Sequence, residues 1–124
     1  LDTIVGSLLD EDILFDRSVA PAGSIGVARL RNLNTERTRR SMFEPINGSA
    51  LDITSKGIAK LIATFWSASL MGDHVGETVA AERLMKAIEV ITANHDFHTP
   101  DLGGTATTDQ VTAAIIDVLR ASND

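Results

Sequence analysis

Residues 58–75 read IAKLIATFWSASLMGDHV, a stretch whose apolar side chains recur at helical spacing on nearly every face. The apolar set is Ile58, Leu61, Ile62, Phe65, Trp66, Ala68, Leu70 and Met71. A helix that is apolar all round is normally buried between layers or at a subunit interface. We therefore predict a helix over residues 58–75 that is buried between layers or at a subunit interface, with Gly72 and Gly76 at its end.

Two further helices are predicted on its carboxyl side. Residues 77–94 carry one apolar stripe and one charged face, which is the pattern of an amphipathic helix. The stripe contains Ala80, Leu84, Ala87, Ile88 and Ile91, and the charged face contains Glu82, Arg83, Lys86 and Glu89. Thr107 precedes Gln110 by three residues, a capping-box spacing that predicts a helix start. The inner face of that last helix is Val111, Ile115, Val118 and Leu119.

The first part of the chain favours shorter elements. Residues 3–9 (TIVGSLL) are typical of a buried strand, and residues 10–20 predict a helix that Pro21 closes. Residues 24–33 are expected to be extended, and residues 34–40 to be a loop. Residues 41–46 predict a short strand, which Pro45 restricts to an edge or an end. The chain is therefore of mixed α/β type.

Composition limits the classes of function. The 124 residues are 44% hydrophobic and 23% charged, as in an ordinary globular protein, and the formal charge of −6 disfavours nucleic-acid binding. We interpret Arg37, Arg39 and Arg40 as a solvated loop. The absence of cysteine excludes disulfides and zinc–thiolate sites. Residues 1–12 lack the pattern of a signal peptide and no apolar run of about 18 residues is visible, so we expect a cytoplasmic protein without a membrane span.

Three segments resemble a known family. Residues 41–60 read SMFEPINGSALDITSKGIAK, residues 62–71 read IATFWSASLM, and residues 99–111 read TPDLGGTATTDQV. Together with DILFD at residues 12–16, they resemble the isocitrate/isopropylmalate dehydrogenase family, and most of all its tartrate and D-malate branch. The resemblance implies part of that α/β fold, helix-rich with a short mixed sheet. Residues 1–23 would correspond to the end of the family's second domain, and residues 24–124 to the carboxy-terminal part of its first.

The resemblance also implies a chemistry. Members of the family oxidise a 2-hydroxy dicarboxylic acid with NAD and decarboxylate the product, using Mg²⁺ or Mn²⁺. Asp12 and Asp16 occupy positions of metal-ligand carboxylates, and their i, i+4 spacing can place both on one helix face. Two acids at that spacing are also common on a solvated face. Leu8 stands where the family has an asparagine.

The segment from Glu44 to Lys60 resembles the nucleotide loop of the family. The resemblance assigns cofactor contacts to Glu44, Asn47, Gly48, Ser49, Asp52 and Lys60. Gly48, Ser49 and Gly57 would let backbone amides approach NAD, and Asp52 would accept hydrogen bonds from the adenosine ribose. Asn47 and Lys60 replace a histidine and an asparagine that contact the adenosine part. The alternative is a glycine-rich loop without a ligand.

The residues that perform the chemistry in the family are not found in this sequence. The substrate-binding arginines and the catalytic Tyr and Lys precede the region of resemblance, and these 124 residues contain no tyrosine. We assign no catalytic residue, and the isolated His74, His95 and His98 are weak candidates. Three hypotheses follow: a truncated or relic dehydrogenase that is inactive alone, a subunit completed by a separate amino-terminal dehydrogenase chain, or a non-catalytic module that forms a homodimer.

Overall fold

The computed structural model describes Ser7, residues 29–46, Gly48 and residues 50–122. The strand predicted at residues 3–9 lies outside these residues except for Ser7, and so does the whole helix predicted at residues 10–20. Within the described part, a short hairpin packs against a unit of three helices, so the chain is helix-rich with a small sheet.

The hairpin consists of β1 (Arg29–Asn32) and β2 (Met42–Pro45). The strands are antiparallel, with Arg29 opposite Pro45 and Asn32 opposite Met42. Both lie within the segments predicted to be extended. Pro45, which cannot donate a backbone hydrogen bond, is the last residue of its strand, as predicted.

The first helix, α1 (Ile62–Val75), holds the hairpin on one side. The guanidinium carbon of Arg29 lies 3.6 Å from the centre of the Trp66 ring, a cation–π contact. The rings of Phe43 and His74 are 5.4 Å apart between centroids. The two contacts tie both strands of the hairpin to α1.

The second and third helices are α2 (Thr78–Ala93) and α3 (Thr108–Ala121), and single 3-10 turns lie at His95–Phe97 and Pro100–Leu102. The helices share one core, whose buried members are Ile62, Ala87, Ile88, Ile91, Ala106, Val111 and Ile115. Such apolar burial is the main favourable term in the stability of a small domain. The helical spacing in the sequence predicted most of this set.

The first residue of α1 and the extent of its burial differ from the prediction. The helix predicted from residue 58 begins at Ile62, because the carbonyl oxygens of Gly57 and Ala59 bind Thr108 instead of continuing a helix. Its burial within the described part of the chain is also one-sided, since Met71 is 50% and Val75 66% exposed. Packing between layers therefore covers only part of the helix, and burial of the other face at a subunit interface stays a prediction.

The face of α2 is rotated slightly from its predicted position. Ala81, not Ala80, is buried in the contact between α1 and α2, where its carbonyl oxygen accepts a hydrogen bond of 2.9 Å from Ser69. Arg83 is half-buried instead of fully solvated, and its Nη2 donates to the carbonyl oxygen of Leu119 at 3.1 Å. This bond links α2 to the end of α3. No helix in the described part of the chain is long and apolar enough to cross a membrane.

Candidate functional site

An open groove of about 360 Å³ lies where the loop after β2 meets the first turns of α1 and α3. Its walls come from two stretches of sequence, one from Pro45 through the loop into α1 and the other at the start of α3. The lining residues are Pro45, Gly48, Ala50, Ile53, Thr54, Ser55, Gly57, Ala59, Lys60, Leu61, Thr64, Thr108 and Asp109. Most of them belong to the loop that the sequence marked as glycine-rich.

Four described residues of the loop adopt positive φ angles. Gly48 and Gly57 have φ angles of 53° and 64°, and Ala50 and Ser55 also adopt positive φ. The amide of Ile53 donates to the carbonyl oxygen of Ala50 at 3.0 Å, which closes a tight turn. Residues that alternate between right- and left-handed conformations turn successive amides toward one side, where they can bind an anion. Because glycine has no side chain, a ligand can approach the backbone closely at residues 48 and 57.

The start of α3 fixes the opposite wall. The Thr108 amide donates to the carbonyl oxygen of Gly57 at 2.9 Å, and its hydroxyl donates to the carbonyl oxygen of Ala59 at 2.7 Å. The predicted capping box is confirmed: the Thr107 hydroxyl accepts from the Gln110 amide, and the Gln110 side chain accepts from the Thr107 amide. The capped start of α3 therefore positions the amide and the hydroxyl of Thr108, which hold the loop by hydrogen bonds.

Lys60 lies at the base of the groove wall with its side chain only 5% exposed. Its Nζ is 3.8 Å from Oδ2 of Asp101 and has no hydrogen-bond acceptor within the described part of the chain. Burial lowers the pKa of the Lys60 ammonium, and the nearby Asp101 carboxylate opposes that shift. Asp101 in turn accepts a hydrogen bond of 2.5 Å from the hydroxyl of Thr99, which is fully buried. Lys60 thus connects the loop to the turn that precedes α3.

The structure brings together part of the predicted cofactor set. Gly48 and Lys60 line the groove, whereas Asp52 is exposed on the same loop and Glu44 is half-buried on β2, and neither is among the lining residues. Asn47, Ser49, Asp12 and Asp16 lie outside the described residues. Thr108 and Asp109 are groove residues that the sequence reasoning missed. The capping box located their helix start, but nothing in the local sequence indicated which loop they would contact.

The histidines lie away from this groove. The rings of His95 and His98 are 4.5 Å apart, and Nε2 of His98 is 3.1 Å from the carbonyl oxygen of Thr92. Both belong to the turn that follows α2. Among the residues that the structure describes, no group of three potential metal ligands is found.

Comparison with known proteins agrees with this architecture. The sequence profile described as isocitrate/isopropylmalate dehydrogenase matches residues 1–117. A probable tartrate dehydrogenase/decarboxylase of Agrobacterium vitis is 55% identical over 123 residues, which cover 99% of this chain and 34% of that protein. The D-malate dehydrogenase [decarboxylating] of Escherichia coli K12 is 45% identical and is likewise covered over 34% of its length.

Solved structures give the same result. Isocitrate dehydrogenase of Methylococcus capsulatus superposes with a TM-score of 0.80 at 33% identity, over 88% of this chain and 32% of that one. A β-decarboxylating dehydrogenase of Thermococcus kodakarensis also gives 0.80, at 34% identity, over 91% and 32% of the two chains. The chain spans about a third of the length of the curated relatives it matches. It belongs to the isocitrate/isopropylmalate dehydrogenase family.

Proposed function

We propose that this chain forms the nucleotide-facing part of an NAD-linked oxidative decarboxylase that acts on a 2-hydroxy dicarboxylic acid. The observation that supports the proposal is the groove, in which a loop of mixed handedness presents its backbone beside the start of α3. The names of two relatives, a tartrate dehydrogenase/decarboxylase and a decarboxylating D-malate dehydrogenase, are consistent with this reaction class.

The groove residues fit a nucleotide in the following way. The backbone amide of Gly48, which lines the groove, would approach the cofactor, and the exposed carboxylate of Asp52 on the same loop would accept hydrogen bonds from the ribose hydroxyls. For Ser49, outside the described residues, we propose the same role as for Gly48 from the resemblance alone. For Glu44 on β2, and for Asn47, which lies outside the described residues, we propose cofactor contacts from the resemblance alone. Lys60 also lines the groove, and its ammonium lies near Asp101.

For the metal, we propose Asp12 and Asp16 as ligands of Mg²⁺ or Mn²⁺, within residues 1–23 that we assign to the end of the family's second domain. Carboxylate oxygens are the ligands that these hard cations prefer. A divalent cation at such a site would polarise the substrate carbonyl and stabilise the enolate that decarboxylation produces.

We further propose that these 124 residues do not catalyse the reaction alone. The reaction needs a general acid that protonates the enol and residues that bind the two carboxylates of the substrate. The resemblance assigns both to residues outside this sequence. Those residues would come from further polypeptide, joined to this chain or separate from it. The purified 124-residue chain should show no turnover of tartrate or D-malate with NAD and Mn²⁺, and measurable turnover would contradict this proposal.

Binding of NAD is the direct test of the proposed groove. In calorimetric titrations with Mg²⁺ present, we expect a dissociation constant between micromolar and low millimolar. Asp52→Ala should remove the binding because the ribose hydroxyls lose their acceptor. Asp73→Ala, which removes an exposed carboxylate from α1, is the matched control and should leave the affinity unchanged. The absence of heat at millimolar NAD would count against the proposal and favour a glycine-rich loop without a ligand.

Exposed apolar side chains at the junction of α1 and α2 support the alternative role in assembly. Met71, Val75 and Val79 are each at least half exposed, and a surface of this kind favours protein–protein contact. We propose a homodimer as the simplest closed arrangement. Light scattering that gives a monomer mass at micromolar concentration would contradict it.

A further inference from the structure

The hairpin formed by residues 29–45 concentrates positive charge on an otherwise acidic chain. It contains five arginines and only two acids, Glu36 and Glu44, so its formal charge is +3. Because the whole chain has a formal charge of −6, the residues outside the hairpin sum to −9. The arginines are Arg29, Arg31, Arg37, Arg39 and Arg40. We call residues 29–45 the arginine hairpin. The sequence alone grouped only three of these residues, and the pairing of β1 with β2 adds the other two.

Four of the five arginines are exposed: Arg31, Arg37, Arg39 and Arg40. No ion pair or side-chain hydrogen bond is found for them among the described residues. By contrast, Arg120 on α3 pairs with Asp117 at 3.8 Å. Within the described residues, the positive charge of the arginine hairpin is therefore not balanced by ion pairs.

Like charges are also crowded at the base of the hairpin. Burial lowers the pKa of Arg29, and the positive charge of Arg31 lowers it further. Nε of Arg29 is buried without a hydrogen-bond acceptor in the described part of the chain. A ligand with negative charge would relieve the mutual repulsion of these guanidinium groups.

The arginine hairpin is held in place before any ligand arrives. Its strands are fixed to α1 by the contacts of Arg29 with Trp66 and of Phe43 with His74. Its loop is closed by the Arg37 amide, which donates to the carbonyl oxygen of Asn34 at 3.0 Å. The Asn34 amide donates to the Ser41 hydroxyl at 3.1 Å. A fixed surface loses little conformational entropy on binding, which favours recognition.

We propose that the arginine hairpin is a docking surface for an acidic segment of a partner polypeptide. Guanidinium groups bind carboxylates through two parallel hydrogen bonds, and the exposed arginines of the hairpin are accessible for such contacts. An extended polyanion such as a nucleic acid would also approach the −9 charge of the rest of the chain, which repels it. A short acidic peptide can contact the hairpin alone.

The test measures binding of a fluorescent, glutamate-rich peptide of about ten residues by anisotropy, at low salt and at about 0.3 M salt. The hairpin variant is Arg31→Gln/Arg39→Gln/Arg40→Gln. The matched control, Lys56→Gln/Lys86→Gln/Arg120→Gln, removes the same charge from exposed positions outside the hairpin. We expect the hairpin variant to bind at least about tenfold more weakly, and the control to change affinity by less than about twofold.

Three results would overturn the proposal: no binding of the peptide to the unmodified chain at low salt, equal losses in the two triple variants, or tighter binding of single-stranded DNA with the same number of charges. Thermal melts of both variants check the fold. If the melt of the hairpin variant is shifted, the double variant Arg39→Gln/Arg40→Gln, which leaves both strands intact, replaces it with the same expectations.

Discussion

The helical core and the groove loop are held together in different ways. The core relies on many apolar contacts among α1, α2 and α3. Its helices can therefore be predicted from the apolar periodicity within each helical segment. The loop at residues 48–61 relies on a few specific backbone contacts, above all the two hydrogen bonds from Thr108. Stability in this chain is therefore distributed in the core and concentrated at single groups in the groove.

The turn between the two regions should be the most sensitive point. Gly104 donates its amide to the carbonyl oxygen of Thr99 at 3.2 Å, and an added Cβ would overlap the backbone of His98. Because the neighbouring atoms are main-chain atoms, they cannot move aside without opening the turn. We expect Gly104→Ala to lower the free energy of unfolding by about 4 kcal/mol, measured by urea denaturation.

Gly103 provides the control for that change. It also precedes α3, but it has φ of 77° and open space around its Cα. Gly103→Ala therefore meets only the cost of a left-handed alanine, about 1–2 kcal/mol. Equal effects at the two positions would mean that the turn adapts to a side chain at residue 104.

The core was predictable to the extent that its pattern is local. The spacing of Ala87, Ile88 and Ile91 identified the buried face of α2, and the capping box at Thr107 located the start of α3. At the amino end of that face, the adjacent residues Ala80 and Ala81 are both apolar, so periodicity alone does not say which one is buried. The contact with Ser69 on α1, invisible in the sequence, selected Ala81.

The groove was predictable only through resemblance. The glycine spacing at Gly48 and Gly57 indicated an unusual backbone, but neither the pairing of Thr108 with Ala59 nor the burial of Lys60 beside Asp101 has a local signature. Both contacts join residues at least 41 positions apart in the chain. Tertiary contacts of this range depend on how the helices pack, and the sequence pattern does not specify them.

A core substitution should have the next largest effect. Ile115 on α3 is fully buried in the shared core, and its truncation removes three carbons from a close-packed site. We expect Ile115→Ala to cost about 3 kcal/mol in thermal or urea unfolding. Ile116→Ala, at a neighbouring position that is 38% exposed, should cost less than about 1 kcal/mol. A loss at Ile116 as large as that at Ile115 would show that the face of α3 has been assigned incorrectly.

Removing the Thr108 hydroxyl tests the groove alone, because it leaves the apolar core unchanged. Thr108→Val deletes the hydrogen bond to Ala59, so we expect a loss of about 1 kcal/mol in stability and weaker binding of NAD in calorimetry. Thr112→Val deletes a hydroxyl that donates to the Thr108 carbonyl within α3. That control should leave NAD affinity unchanged. Parallel losses of affinity in the two variants would contradict a specific role for Thr108 in the groove.

The Lys60 ammonium gives an effect that depends on pH. Its pKa in the folded chain is lowered from the ordinary 10.5 by burial, so the unfolded chain holds this proton more tightly than the folded one. The charged form therefore destabilises the fold below the lowered pKa, and this cost disappears as the pH rises toward 10.5 and beyond. Lys60→Met, which removes a buried donor without an acceptor, should stabilise the chain by about 1 kcal/mol at pH 7.

The advantage of Lys60→Met over the unmodified chain should shrink as the pH is raised from 8 to about 10.5, in urea melts at each pH. Lys56→Met, on the same loop but exposed, should show no such trend. A destabilised Lys60→Met at pH 7 would mean instead that the attraction of Asp101 at 3.8 Å exceeds the cost of burying the ammonium. In that case the loop would be held to the turn before α3 by a net favourable ion pair as well as by Thr108.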